Sequence, residues 1–212
     1  MPWVEALDAA IVLAALAAAL AVRPWRALPA GGPPTVWLAW WAQLPLLWTA
    51  DRLAASPLAP ALPGSVLLML MCGWPLAVLA LLPVALLALL LGGLGAAETL
   101  HRLAWLGIVP ATLALALGAL VRRWLPHHLF VYILARGFFA AALANTAAGV
   151  AAVALHGAPG GTSAADLMLA RGFVAWGDAI VCGMLVAIFV AFRPHWLATY
   201  SDRLYLPARD PP

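Results

Sequence analysis

Residues 63–92 read PGSVLLMLMCGWPLAVLALLPVALLALLLG. At about 20 residues per transmembrane helix, this run is too long for one span and short for two. How it divides sets the topology of the whole chain. Gly73-Trp74-Pro75 lies near its first third. Proline suits the first turn of a helix, where its missing N–H would have no intrahelical partner, so a new helix is expected to start there.

Five further apolar runs flank this one, at about 5–22, 35–50, 103–121, 128–155 and 172–192. Of 212 residues, 66% are hydrophobic and 9% charged, too little polar surface for a soluble fold, so the chain reads as a polytopic membrane protein. The breaks carry turn residues: Arg23-Pro24-Trp25-Arg26 through Gly31-Gly32-Pro33-Pro34, then Asp51-Arg52, Arg122-Arg123 with Pro126, and Gly157 to Asp166. Tryptophans near run ends (Trp3, Trp25, Trp37, Trp48, Trp105, Trp124, Trp196) match an interfacial belt. Glu5 and Asp8 stand where a signal peptide would carry positive charge.

The basic residues are all arginines, and they decide the division of 63–92. With seven spans and an external N-terminus, Arg23, Arg26, Arg122, Arg123, Arg193, Arg203 and Arg209 fall inside, leaving Arg52, Arg102 and Arg171 outside. An undivided run would put Arg122-Arg123 opposite Arg23 and Arg26. The positive-inside rule therefore predicts an all-α, seven-span protein, N-out and C-in. It is one membrane domain over 1–212, with 193–212 as a cytoplasmic tail. Scattered arginines exclude a nucleic-acid surface. Cys72 and Cys182, far apart and in apolar runs, read as buried small hydrophobes.

In this topology Glu5, Asp8, Asp51, Glu98, Asp166 and Asp178, with His101 and His156, lie toward the outer half. They form either an acidic vestibule that concentrates cations or merely what remains once arginines are kept inside. Arg136 and Asp178 stand out because a charge at membrane depth costs roughly 2.5–3.5 kcal/mol on insertion scales and survives where it pairs or lines a cavity. The span boundaries place Asp178 about six residues into the last span. A polar track of Arg136, Asn145 and Asp178 along one helix interface, joined by Ser65, reads as a substrate or ion path, or as interhelical glue. Small residues (Gly137, Ala140, Ala141, Ala144, Gly172, Gly177, Gly183) predict close packing of the last two spans. Glu98 and His101, at i and i+3, share a helix face and form half of a transition-metal site, with His156 a third ligand if folding brings it over. His127-His128 mark a helix start at the inner interface. Gly177-Asp178 is similar to the motif of intramembrane aspartyl proteases, but no partner aspartate lies at that depth; no enzymatic motif is found, and no cofactor beyond a transition metal as substrate.

Several stretches carry a resemblance. Gly64-Ser65-Val-Leu-Leu-Met-Leu-Met-Cys-Gly73-Trp74-Pro75 resembles the junction of the third and fourth spans in CbiM-type permeases, the substrate-binding membrane components of energy-coupling-factor cobalt and nickel importers. His128-Leu-Phe-Val-Tyr-Ile with Gly137-Phe-Phe-Ala, and Gly177-Asp178-Ala-Ile-Val-Cys-Gly183, resemble a CbiM-like branch of bacterial inner-membrane proteins, as does the tail from Phe192 to Leu206. The resemblance implies seven spans, an external N-terminus, and a substrate-binding permease subunit for a metal ion or small solute that works with a coupling membrane subunit and cytoplasmic ATPase subunits. It departs at the metal ligands: Met1-Pro2-Trp3 replaces Met-His, Gly64-Ser65 replaces Gly-His, and Ala97-Glu98-Thr99-Leu100-His101 replaces an Asn-rich stretch. The family's metal site is therefore not carried over. Arg193, Trp196, Arg203 and Tyr205 in the tail read as a docking surface for the partners or as an interfacial anchor. The alternative function is a non-transport subunit or assembly factor of a respiratory or other inner-membrane complex.

Overall fold

The computed structural model describes residues 2–27, 33–53, 61–158 and 163–205. Met1, Gly31-Gly32, residues 159–162, Leu206 and Arg209 lie outside the described residues, as does what was expected of them. Among the described residues, the helices of eight residues or more are, in order, α1 (Pro2–Ala21), α2 (Thr35–Trp48), α3 (Ser65–Cys72), α4 (Trp74–Gly92), α5 (Ala96–Trp124), α6 (Leu129–His156) and α7 (Ala164–Phe192), with single helical turns at Pro24–Ala27, Ala50–Leu53, Pro194–Trp196 and Asp202–Tyr205. No strand occurs among the described residues. By length and composition α1, α4, α5, α6 and α7 can each cross a membrane. α2, with 14 residues, and α3, with 8, are shorter. At 1.5 Å per residue they reach about 21 and 12 Å, against a hydrocarbon core of about 30 Å.

The division expected inside 63–92 is present: α3 ends at Cys72, and Gly73 turns the chain at φ +83° into α4. From Ser65 to Met71 no residue of α3 is more than 2% exposed, so α3 sits inside the bundle. That follows from a sequence that is apolar on every face. A helix end buried in this way must find protein partners for its orphan groups, because hydrocarbon offers none.

Both ends of α3 have them. At the entry, the Trp40 and Trp48 indoles donate to the Gly64 and Pro63 carbonyls at 2.9 and 2.8 Å. Gly64 has φ +63°, and a Cβ there would meet Leu44 Cδ2 at 2.5 Å, so both conformation and space require glycine. At the exit, the Met71 carbonyl accepts from Ala198 N at 2.9 Å, and the Leu70 carbonyl from Thr199 Oγ1 at 3.0 Å. The segment after α7 thus folds back to close α3.

Contacts define two ends of the bundle. At one, Asp8 of α1 and the chain just after α2 meet the start of α5 and the close of α6, through Asp51, Glu98, Arg102 and His156. At the other, Trp37, Met71, Tyr132 and Thr199 meet. α6 and α7 pack closely where glycines allow. A Cβ on Gly137 would lie 3.0 Å from Val186 Cγ1, and one on Gly183 3.1 Å from Phe138 Cβ. Gly172 and Gly177 have no such neighbour.

Two expectations change. α7 begins at Ala164 rather than near 172, so Asp178 lies at the midpoint of a 29-residue helix and not near one boundary. The tryptophans also divide: Trp3, Trp25 and Trp124 are exposed, as a belt requires, whereas Trp37, Trp48 and Trp105 are buried and donate to protein oxygens.

Candidate functional site

Glu5 and Asp8 occupy one face of α1, at i and i+3. Opposite Asp8, the start of α5 presents His101, and the last turn of α6 presents His156. Asp8 is 3% exposed. His156 Nε2 lies 3.1 Å from both Asp8 oxygens, and His101 Nδ1 lies 3.3 Å from Oδ2. One ligand atom from each residue falls within 4.8 Å of the other two. Ligands of a tetrahedral transition metal at about 2.0–2.2 Å stand roughly 3.3–3.5 Å apart, so the carboxylate–imidazole spacings suit one ion.

The surroundings orient these groups as outer partners do in metal sites. Trp105 Nε1 donates to Asp8 Oδ1 at 2.7 Å. His156 Nδ1 lies 3.1 Å from the Ala152 carbonyl; in the tautomer that donates there, Nε2 keeps its lone pair for an ion shared with Asp8. If a proton rather than an ion joined Nε2 to Asp8, this ring would have to carry both protons. Cavities adjoin the group on two sides. One of about 260 Å³ is lined by Glu5, Asp8, His101 and His156. Another of about 350 Å³ is lined by Glu98, His101, His156 and Arg171. They leave access for a further ligand.

Of the expected metal ligands, His101 and His156 meet here, and Glu98 does not join them. Glu98 is taken up by arginines: Arg52 Nη2 donates to it at 2.7 Å and Arg102 Nη2 at 2.5 Å. Arg102 also donates to both oxygens of Asp51, at 2.8 and 2.7 Å, and to the Trp48 carbonyl. Burial raises the Asp51 pKa, but the hydrogen bonds and charge of Arg102 outweigh it and hold the carboxyl below its ordinary 3.8. A free acidic vestibule is therefore not what Asp51 and Glu98 form, since both are neutralised. Asp8 had no partner visible in sequence: it lies 93 positions from His101 and 148 from His156.

The expected polar track is half present. Asp178 Oδ2 accepts from Asn145 Nδ2 at 2.8 Å, and Oδ1 accepts from Gly64 N at 3.0 Å. Its carboxylate thus sits at the N-terminus of α3, where it meets an otherwise orphan N–H and the positive end of the helix. Ser65 is fully buried, and its hydroxyl donates to the Leu106 carbonyl at 2.8 Å. That carbonyl lies in a wide turn of α5 (Leu103–Ile108), where Val109 N donates five residues back to Ala104. Such π turns free carbonyls for outside partners. Asp178, Asn145 and Ser65 therefore latch α6, α7 and α5 onto α3.

Arg136 stands apart from them. It lies nine residues before Asn145, in a wide π stretch of α6 (Tyr132–Phe139), and its partners are in the tail rather than on α3 or α7. Its Nη1 donates to Thr199 O and Tyr205 Oη, both at 3.3 Å, and its guanidinium lies 5.2 Å from the Tyr132 ring centroid. The tail correspondingly packs inward: Tyr205 is buried among Tyr132 and Tyr200, and Trp196 is half-buried and stacks edge-on against Phe189. Of the four residues expected to dock partners, Arg193 and Arg203 are exposed. His128 caps the start of α6, accepting from Phe130 N at 3.3 Å, as its place in sequence suggested. Cys72 and Cys182 are buried and free.

Comparison with protein-family models, with curated proteins and with solved structures gives no match.

Proposed function

We propose that this chain is the substrate-binding membrane subunit of an energy-coupling-factor-like importer for a divalent transition-metal ion. The observation that supports it is the convergence of Asp8, His101 and His156, one from each of three helices, beside two cavities. Two imidazoles and a carboxylate suit zinc, nickel or cobalt better than magnesium or calcium, which prefer all-oxygen shells.

In this reading the chain crosses a bacterial inner membrane seven times, N-out and C-in. The residues before α3 and α3 itself make the third passage, short because its partners meet it inside the bundle. The metal group then faces outward, where an imported ion arrives. Arg193 and Arg203 face inward, available to a coupling subunit and its ATPases. Discontinuous helices whose buried N-termini meet anionic groups recur in transporters. Asp178 would hold α3 until coupling shifts it.

A second reading has its own support. Asp178 is 6% exposed, both its oxygens are bonded, and it lines none of the cavities described here. A packed interior suits an assembly factor or structural subunit that holds a metal without passing it. Affinity purification of a tagged copy from its native membrane separates the two. Co-purification of an ATPase and a coupling subunit, with metal uptake lost in an H101A/H156A variant, supports the importer. A respiratory or biogenesis complex without an ATPase replaces it with the second reading.

A further inference from the structure

The far end of the bundle holds a third cavity, with opposite chemistry. It has a volume of about 350 Å³, and its lining includes Gly118, Arg122, Arg136, Thr199, Tyr200 and Ser201. No carboxylate is among its lining residues. Asp202 is exposed and does not line it, although its carboxylate lies beside the Tyr200 hydroxyl that does.

Arg136 is the unusual member. It is 8% exposed, yet among the described residues it belongs to no ion pair. Its two hydrogen bonds are long, and its Nε has no partner. A buried guanidinium without a counter-charge is costly, and the cost falls when an anion is bound. Gly118 leaves room for the guanidinium itself, since a Cβ there would lie 2.9 Å from Arg136 Nε. Arg122, in the last turn of α5, adds a second guanidinium at the mouth. Two planar forks converging on one cavity recognise an oxyanion with several acceptor oxygens, above all a phosphate.

We infer that this cavity binds a phosphate group through Arg136 and Arg122, independently of the metal group at the other end. The phosphate belongs either to the headgroup of an anionic phospholipid or to a soluble ion.

The test uses the full chain, purified in an uncharged detergent and examined by native mass spectrometry and thermal unfolding. One arm titrates inorganic phosphate against chloride at constant ionic strength. The other titrates dioleoylphosphatidylglycerol against dioleoylphosphatidylcholine. One saturable phosphate-bearing adduct per chain is expected, with a raised unfolding temperature. R122Q, at an exposed position, is expected to weaken it about tenfold, the scale of one charge-assisted bond. R123Q carries the same charge change off the cavity and is expected to leave binding as it was. Saturation by inorganic phosphate identifies a soluble ligand; saturation by phosphatidylglycerol alone identifies a lipid. Should R136Q fail to fold, the R122Q and R123Q pair still decides. Absence of a saturable adduct in both arms, or equal loss in R122Q and R123Q, overturns the inference.

Discussion

Replacing Asp178 by alanine removes the latch at the start of α3, and its cost can be worked from the two bonds it breaks. Gly64 N and Asn145 Nδ2, 3.0 and 2.8 Å from the carboxylate, would both lose their acceptor in a site that water does not reach. A buried donor left unsatisfied costs roughly 1–3 kcal/mol in a soluble core, and interhelical bonds in membranes are worth less, about 0.6 on average and 1.7 at most. Two such losses on the membrane scale give about 1–3 kcal/mol for Asp178→Ala. Asp178→Asn keeps the volume and one carbonyl acceptor, so it should cost about half as much. Thermal unfolding in detergent, or steric trapping in bilayers, reads both values. Because α3 is held at its other end by Ala198 and Thr199, D178A should loosen the Gly64 end selectively, seen as faster hydrogen exchange around 62–66. Unchanged stability and unchanged exchange in D178A would refute the latch.

Other consequences follow from the same packing. Gly137→Leu should destabilise the α6–α7 contact by about 2 kcal/mol or more in unfolding assays, because even a Cβ would stand 3.0 Å from Val186 and the longer side chain overpacks the site. Asp51 is held below its ordinary pKa of 3.8, so its stabilising contribution is fully present above that value and is lost as pH falls through the lower folded one. D51N should therefore be less stable than the parent at neutral pH, with the gap closing in acid; a gap that persists under acid would contradict the pairing with Arg102. Truncation before Pro194 removes the donors to the Leu70 and Met71 carbonyls and should lower the unfolding temperature more than the double variant R193A/R203A, whose side chains are exposed.

Much of the architecture can be read from composition and punctuation. Gly73-Trp74-Pro75 marks the break between α3 and α4, and Gly137 and Gly183 mark the close approach of α6 and α7, because these depend on local geometry that glycine and proline dictate. Asn145 and Asp178 are legible as a pair from their depth. Three things are not. The shortness of α3 depends on the tryptophans of α2 and the tail supplying its end groups, which no local pattern displays. Arg136 is misassigned by depth alone, because its partners Thr199 and Tyr205 come from the tail after α7, which depth does not display. Asp8 is hidden as a partner of His101 and His156 because it sits near the end of an apolar helix and resembles an ordinary interfacial acid. Glu98, one turn from His101, offers the stronger local signal, and the arginine cluster claims it.

The Asp8–His101–His156 group carries the proposed function, so the decisive measurement is metal content and affinity of the purified chain after chelation and reloading with zinc, nickel and cobalt. The prediction is one tightly bound ion per chain, lost on H101A/H156A and on D8N, and retained in E98Q, whose side chain faces the arginines instead. Equal metal binding by H101A/H156A and the parent, in protein that folds normally, would contradict it.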